Sequence, residues 1–273
     1  RSSLLTCAVQ AGSEMDLSVI IVNFNSGTQL AEALGSVVEF TRGLEYELLV
    51  VDNASQDESA AWAQQLKGAS VTLIRNSRNL GFAQACNIGI KLSTGKAVLL
   101  LNPDTRIKDN AFEPMYQYLT GHDEAGIVGC RIIHPDGTVQ GSAYPFLTLG
   151  NRIRQLVRAP FALAAYYAGR IFKLFCCPGA ARPCCCAKNE ADARPREVDA
   201  VTGACMMFRK ADAEKLGGLD EKFFLYYEDE DFCRRMKQLG KKVIYFPSAQ
   251  IVHNWGWGRR QKEPAVARAR RES

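Results

Sequence analysis

The sequence predicts an α/β protein whose first half is a doubly wound, mostly parallel sheet with helices on both faces, followed by a mixed second half. Three observations predict it. Apolar runs and helix-periodic segments alternate four times over about ninety residues, the pattern that βαβ units leave. The runs 17–23 (LSVIIVN) and 97–101 (AVLLL) are continuous, as strands covered on both faces are. Turn residues such as Asn25-Ser26-Gly27 and Asn102-Pro103-Asp104 follow those runs directly.

The elements follow in order. Residues 17–23 are a buried strand, and Leu30, Leu34, Val37 and Val38 then recur at helical spacing. Residues 47–51 form the next strand, ending in Asp52-Asn53-Ala54-Ser55. Asp57 is expected to cap a helix reaching about residue 66. Residues 71–74 are a third strand, and Asn79-Leu80-Gly81 turns into a helix over 82–92 that Gly95 stops. Residues 97–101 are the fourth strand, and Pro103, with no N–H to give a ladder, ends its pairing. A strand is expected at 127–133, with Asp136-Gly137 as a hairpin turn and 138–142 returning. Residues 200–209 (AVTGACMMFR) read as one strand with Gly203 inside it, where backbone or ligand approaches closely. A short helix at 211–216, a helix after Glu228 stopped by Gly240, and a last strand at 243–246 broken by Pro247 complete the pattern.

The chain has 273 residues, 47% apolar and 23% charged, which is ordinary for a globular protein with a large core. The formal charge of +5 permits attraction to phosphates or anionic lipid but does not single out nucleic acid, and no nucleic-acid partner is expected. No run approaches a membrane span, and no basic region leads into a long apolar one, so no signal peptide is expected. Met15 before a strong strand looks like a natural start, which makes 1–14 an N-terminal extension. From 259 the chain is a basic tail. Five of the ten cysteines crowd 176–186, and the rest sit among apolar neighbours as buried free thiols do. A reducing, cytoplasmic compartment is expected. Pro178, Gly179 and Pro183 make the cysteine-rich piece a loop; zinc is an alternative there, although adjacent cysteines are not the paired spacing that zinc sites use. Basic and aromatic residues alternate over 152–175. That segment could lie on a membrane surface, or it could be an ordinary helix packed on the core.

Three places carry candidate chemistry. Asn102 and Asp104 sit at the carboxyl end of a central strand, where open α/β sheets bind ligands. Oxygen ligands two residues apart suit a hard divalent cation holding a diphosphate, and a plain turn explains the same residues. Glu228-Asp229-Glu230-Asp231 follows the aromatic run 223–227. Acidic residues favour a helix start, yet four consecutive carboxylates repel, and one of them could serve as a general base for a sugar hydroxyl. His253 ends an apolar run. It could be a satisfied core residue, or a ligand beside Asp104 to Mn²⁺ or a similar ion. The Gly-x-Gly-x-x-Gly turn of a nicotinamide-binding domain is missing after the first strand.

In their order and spacing, SVIIVNFN, VVDNAS, NLGFAQACNIG, LLLNPDT, PDGTVQ, VTGACMMFR, GGLDEKFFLYYEDEDFCRRMKQLGKKVIYFP and IVHN resemble family 2 glycosyltransferases of the GT-A fold, close to bacterial rhamnosyltransferase-like members. The resemblance covers roughly 17–255 and implies one domain over 15–258. Its nucleotide-binding half would span about 15–125 and its acceptor-side half about 126–258, with a variable insert at 150–197. It implies metal-dependent, inverting transfer of a sugar from a nucleotide diphosphate such as dTDP-rhamnose or a UDP-sugar. The acceptor would be a saccharide, lipid-linked, used in cell-surface polysaccharide synthesis at the inner membrane face. On this resemblance Asn23, Asn25, Asp52, Asn79, Gly81 and Asn102 border the nucleotide. Asp104 and His253 hold Mg²⁺ or Mn²⁺. Asp229 is the base with Glu228 beside it, and Gly203, Asp231 and Trp255 lie along the sugars. The family's Asp-x-Asp element appears here with an amide, Asn102, in place of its first acid. That substitution and the short C-terminus motivate an alternative, a catalytically impaired nucleotide-sugar-binding protein of the same fold. A nucleotidyltransferase would want a basic, glycine-rich loop after the first strand, which is lacking.

Overall fold

The computed structural model describes residues 15–66, 71–146 and 194–254. The basic aromatic segment 152–175, the cysteine-rich segment 176–186, Trp255, the basic tail 259–273 and the extension 1–14 lie outside the described residues. Four parallel strands form the first half: β1 (Leu17–Asn23), β2 (Tyr46–Asp52), β3 (Val71–Arg75) and β4 (Ala97–Leu101). Helices α1 (Gln29–Phe40), α2 (Ser59–Gln64) and α3 (Phe82–Leu92) connect them. The second half adds β5 (Thr105–Ile107), α4 (Phe112–Gly121), β6 (Ala125–Ile133), β7 (Val139–Gln140) and β8 (Ala143–Tyr144). It ends with β9 (Arg196–Val198), β10 (Ala200–Val201), β11 (Cys205–Arg209), α5 (Lys210–Leu216), α6 (Glu228–Gln238) and β12 (Lys242–His253).

Among the described residues one large sheet runs in the order β3-β2-β1-β4-β11-β6-β12-β5. β1 pairs in parallel with β2 on one side and β4 on the other. The chain therefore steps outward to β3 and returns across β1, and such a reversal opens a crevice at the carboxyl ends of the two central strands. Beyond β4 the sheet is mixed. β11 is antiparallel to both β4 and β6, while β12 runs parallel to β6 and antiparallel to β5.

The central strands are apolar on both faces because both faces are covered. Val19 and Ile21 of β1 pack with Leu30, Leu34 and Val37 of α1 and with Phe112, Met115 and Leu119 of α4. Ile20 and Val22 face Ala83, Cys86 and Ile90 of α3 and Phe232, Cys233 and Met236 of α6. Arg209 closes the α4 side, its guanidinium donating to the carbonyls of Leu119, Ala125 and His122.

Three expectations are corrected. The run 200–209 is two strands: β10 pairs with β8, β11 pairs with β4 and β6, and residues 202–204 between them turn their backbone to other partners. Pro247 does not end the last strand. β12 continues through it, because a register shift between Phe246 and Gln250 relieves the proline of any ladder bond. Asp57 does not occupy the cap position of α2, which is Glu58. Its carboxylate instead accepts from the Ser59 amide at 3.1 Å and the Gly27 amide at 2.8 Å, tying two loops together. The expected set also omitted β5, α4 and β9.

Candidate active site

The crevice beside β1 and β4 is a cleft of about 1060 Å³. Its floor is set by polar residues at the strand ends. Asn23 is fully buried, and its amide lies 2.8 Å from the Asp52 carboxylate, 2.8 Å from the Ser59 hydroxyl and 3.0 Å from that of Ser55. Asn53 donates to the Gly81 carbonyl at 3.0 Å and accepts from the Asn76 amide at 2.8 Å. The loops after β1, β2 and β3 are thereby locked together. Asn23 and Asp52 sit beneath the cleft, holding its floor, and neither lines it. Asn25, Asn79 and Gly81 do line it, together with Phe24, a residue 41% exposed, and Gln29 at the start of α1.

Next to this floor, β5 and β12 bring Asp104 and His253 together. Their antiparallel register sets His253 against Thr105, and the Asn254 amide donates to the Asp104 carbonyl at 2.8 Å. His253 is 3% exposed. Its Nδ1 is 3.2 Å from Gln140 Oε1 and its Nε2 is 3.1 Å from Asp104 Oδ1, with the Asn102 amide 3.5 Å away. When Nδ1–H donates to Gln140, the Nε2 lone pair faces a carboxylate oxygen, and that juxtaposition calls for a proton or a cation between them. Carboxylate and imidazole together form a donor pair that suits Mn²⁺ or Mg²⁺, while Asn102 presents its side-chain amide nitrogen to the same imidazole. Among the described residues no third His, Cys, Asp or Glu joins the pair, so a cation there would draw further ligands from a bound diphosphate.

The opposite wall is the start of α6. Asp229 Oδ2 accepts from the Tyr144 hydroxyl at 2.8 Å and the Gly203 amide at 3.1 Å, and Oδ1 accepts from the Glu230 amide at 2.8 Å. The Ala204 carbonyl, one residue on from Gly203, accepts from the Asn102 amide at 3.1 Å. The break between β10 and β11 thus ties the carboxylate wall to the Asn102–Asp104 tip. Burial, assisted by the neighbouring Asp229, pushes Glu228 up to about 7, and its buried Oε2 has no partner. Burial also raises Tyr144, with the Asp229 carboxylate as the next cause.

The four carboxylates do not act as a block. Glu230 pairs with Arg234 at 3.2 Å and Asp231 with Arg235 at 2.6 Å. Asp231 does not line the cleft, and Trp255 lies outside the described residues. Before α6, Phe224, Leu225, Tyr226 and Tyr227 form an exposed rim. Tyr226 and Tyr227 both hold positive φ, 72° and 71°, a conformation that costs about 1–3 kcal/mol at a non-glycine residue. The rim is docked by the Phe82 amide, which donates to the Phe224 carbonyl at 2.7 Å. Gly81 permits that approach, since a Cβ there would lie 2.7 Å from the same carbonyl.

Nine residues expected from the sequence therefore meet in one cleft: Asn25, Asn79, Gly81, Asn102, Asp104, Gly203, Glu228, Asp229 and His253. Sequence reasoning missed Phe24, Gln29, Gln140 and Tyr144. An aromatic residue directly after the first strand was a usable signal for Phe24; the others act only through contacts made by folding.

A family model described as glycosyl transferase family 2 matches residues 18–181, and one described as the N-terminal domain of galactosyltransferase matches residues 186–255. A low-salt glycan biosynthesis hexosyltransferase of Haloferax volcanii is 29% identical over 259 residues, covering 91% of this chain and 70% of the relative. An N-acetylglucosaminyl-diphospho-decaprenol L-rhamnosyltransferase of Mycobacterium tuberculosis is 27% identical over 254 residues, covering 87% of this chain and 76% of the relative. Among solved structures, GalNAc-T7 with UDP, GalNAc and Mn²⁺ superposes with a TM-score of 0.62 at 18% identity, over 88% of this chain and 44% of that one. The Pyrobaculum calidifontis mannosyltransferase in complex with GDP-Man and Mn²⁺ does so with 0.61 at 17%, over 95% of this chain and 61% of that one. This chain spans less than two thirds of either solved structure. At these identities the likeness establishes the fold, which is GT-A.

Proposed function

The chain belongs to glycosyl transferase family 2, and on that premise we propose that it is an inverting, cation-dependent hexosyltransferase moving a sugar from a nucleoside diphosphate to a saccharide hydroxyl. The observation that carries this reading is the single cleft shared by the Asp104–His253 pair and the Asp229 carboxylate. The locked loops after β1, β2 and β3 form a bed for the nucleoside, with the ring of the exposed residue Phe24 as a stacking surface for the base. Asp104 and His253 would hold Mn²⁺ or Mg²⁺. When bound, that ion supplies electrostatic neutralisation of the departing diphosphate.

Asp229 takes the proton of the acceptor hydroxyl as its oxygen attacks the anomeric carbon from the face opposite the diphosphate, which inverts the configuration. The loop 202–204 fixes the distance between base and phosphate side. The exposed rim 224–227 borders the entry for the acceptor. The relatives named above support glycan biosynthesis as the setting, and the mycobacterial enzyme's name supports a rhamnosyl donor and a lipid-linked saccharide acceptor. An acceptor of that kind would bring the protein to a membrane surface. Among the described residues no helix is long and apolar enough to cross a membrane.

The test is turnover of a panel of dTDP- and UDP-sugars with Mn²⁺, Mg²⁺ or chelator, for the wild type and Asp229→Asn. Cation-dependent turnover of one donor, lost in Asp229→Asn while nucleotide binding persists, is the expected result. Tight donor binding without turnover for any acceptor would replace this reading with that of a donor-binding protein.

A further inference from the structure

A base must present an unoccupied lone pair to its substrate, and the contacts of Asp229 leave few. A carboxylate has about four lone-pair positions, two on each oxygen. Both positions on Oδ2 are taken, one by the Tyr144 hydroxyl at 2.8 Å and one by the Gly203 amide at 3.1 Å. Among the described residues Oδ1 accepts only the Glu230 amide, at 2.8 Å, which leaves one position open to the acceptor. Tyr144 is not an incidental neighbour. It lies on β8, whose pairing with β10 carries it to the same wall as Gly203, and it lines the cleft.

We propose that Tyr144 is a positioning residue that, together with the Gly203 amide, locks Oδ2 of Asp229 so that Oδ1 is the oxygen presented to the acceptor hydroxyl. The inference rests on the reading of Asp229 as the base. In the step, the acceptor O–H proton moves to Oδ1 while the acceptor oxygen bonds to the anomeric carbon. The bond from that carbon to the diphosphate oxygen breaks, and its electron pair leaves with the diphosphate. Without the tyrosine hydroxyl the carboxylate can rotate about its Cβ–Cγ bond, and the fraction of time Oδ1 points into the cleft falls. The ionisable groups facing this pair are Glu228, Glu230 and Cys233 on α6, with Glu230 paired to Arg234 and the burial-raised Cys233 thiol directed at the Val201 carbonyl.

Tyr144→Phe removes the one hydroxyl and keeps the ring. The expected result is a fall in kcat of about tenfold, the scale of one lost hydrogen bond to a charged group, with donor KM and nucleotide Kd unchanged. A lower melting temperature with kcat unmoved would overturn the proposal and leave Tyr144 a packing residue. A measurement independent of that variant is the ¹³Cζ resonance of Tyr144 in labelled protein, which should shift in Asp229→Asn; an unchanged resonance would also overturn it. Retained turnover in Asp229→Asn overturns the assignment of the base itself, whatever Tyr144→Phe does.

Discussion

Replacing Glu228 by glutamine separates the cost of a buried charge from the shape of the side chain. Glu228 is 6% exposed, and its Oε2 is buried without a partner. Burial moves its proton affinity from the usual 4.5 to about 7. Between those two values the folded chain holds a proton that the unfolded chain has released. Stability from this group is therefore fully present below about pH 4.5, falls as pH rises, and is gone above about pH 7. The amount at stake is roughly 3 kcal/mol across that window. Glutamine carries no proton to lose, so its stability lacks this descent. Its amide adds an offset that is the same at every pH. The melting temperature of Glu228→Gln minus that of the wild type should then climb between pH 4.5 and pH 8 by on the order of 6 °C. Thermal scans by circular dichroism in matched buffers measure it. Parallel curves for the two proteins over the whole range would refute the reasoning and show that the Glu228 carboxylate is solvated or paired in solution.

Two further outcomes follow from the same geometry. His253→Ala should weaken binding of a nucleoside diphosphate in Mn²⁺ by at least about tenfold in calorimetry, the scale of a lost metal ligand, and leave binding in chelator unchanged; equal losses in both conditions would mean the histidine only packs the cleft. Gly81→Ala forces a side chain into φ +85° and sets its Cβ 2.7 Å from the Phe224 carbonyl, so it should cost more than about 1 kcal/mol in urea unfolding and raise proteolysis at 223–227. An unchanged unfolding midpoint would show that the rim is not docked on α3.

Much of the architecture was legible in the chain because it rests on local patterns. Strands β1, β2 and β4 announce themselves as largely apolar runs, β3 is the shorter, half-buried VTLIR, and α3 has the predicted bounds Phe82–Leu92. The element at 105–107 is three residues long with an exposed arginine in the middle, too short to show a period. Helix α4 did carry Phe112, Met115 and Leu119 at helical spacing, a signal that was present and unused. Pro247 misled because a proline argues against a strand only where the ladder needs its N–H, and a bulge removes that need. The run 200–209 misled because apolar composition says that a segment is buried and not which partner it pairs with.

The cleft divides along the same line. Its carboxylates, amides and histidine stand at strand and helix ends, where their types and order are readable as sequence. Whether a polar side chain at a strand end turns into the cleft or under it is not. Asn23 and Asp52 turn under, into a network that joins residues 29 positions apart. What the sequence by itself determined is the parallel core and the polar residues standing at the carboxyl ends of its strands; the reversal between β1 and β4 is a matter of strand pairing that only the tertiary structure decided. Only the tertiary structure decided that Gln140 faces His253, that His253 faces Asp104 across 149 positions, and that Tyr144 reaches Asp229 across 85. The physical reason is that secondary structure follows from interactions over a few residues, whereas a site is a set of hydrogen bonds between groups that packing alone brings within 3 Å or so of one another.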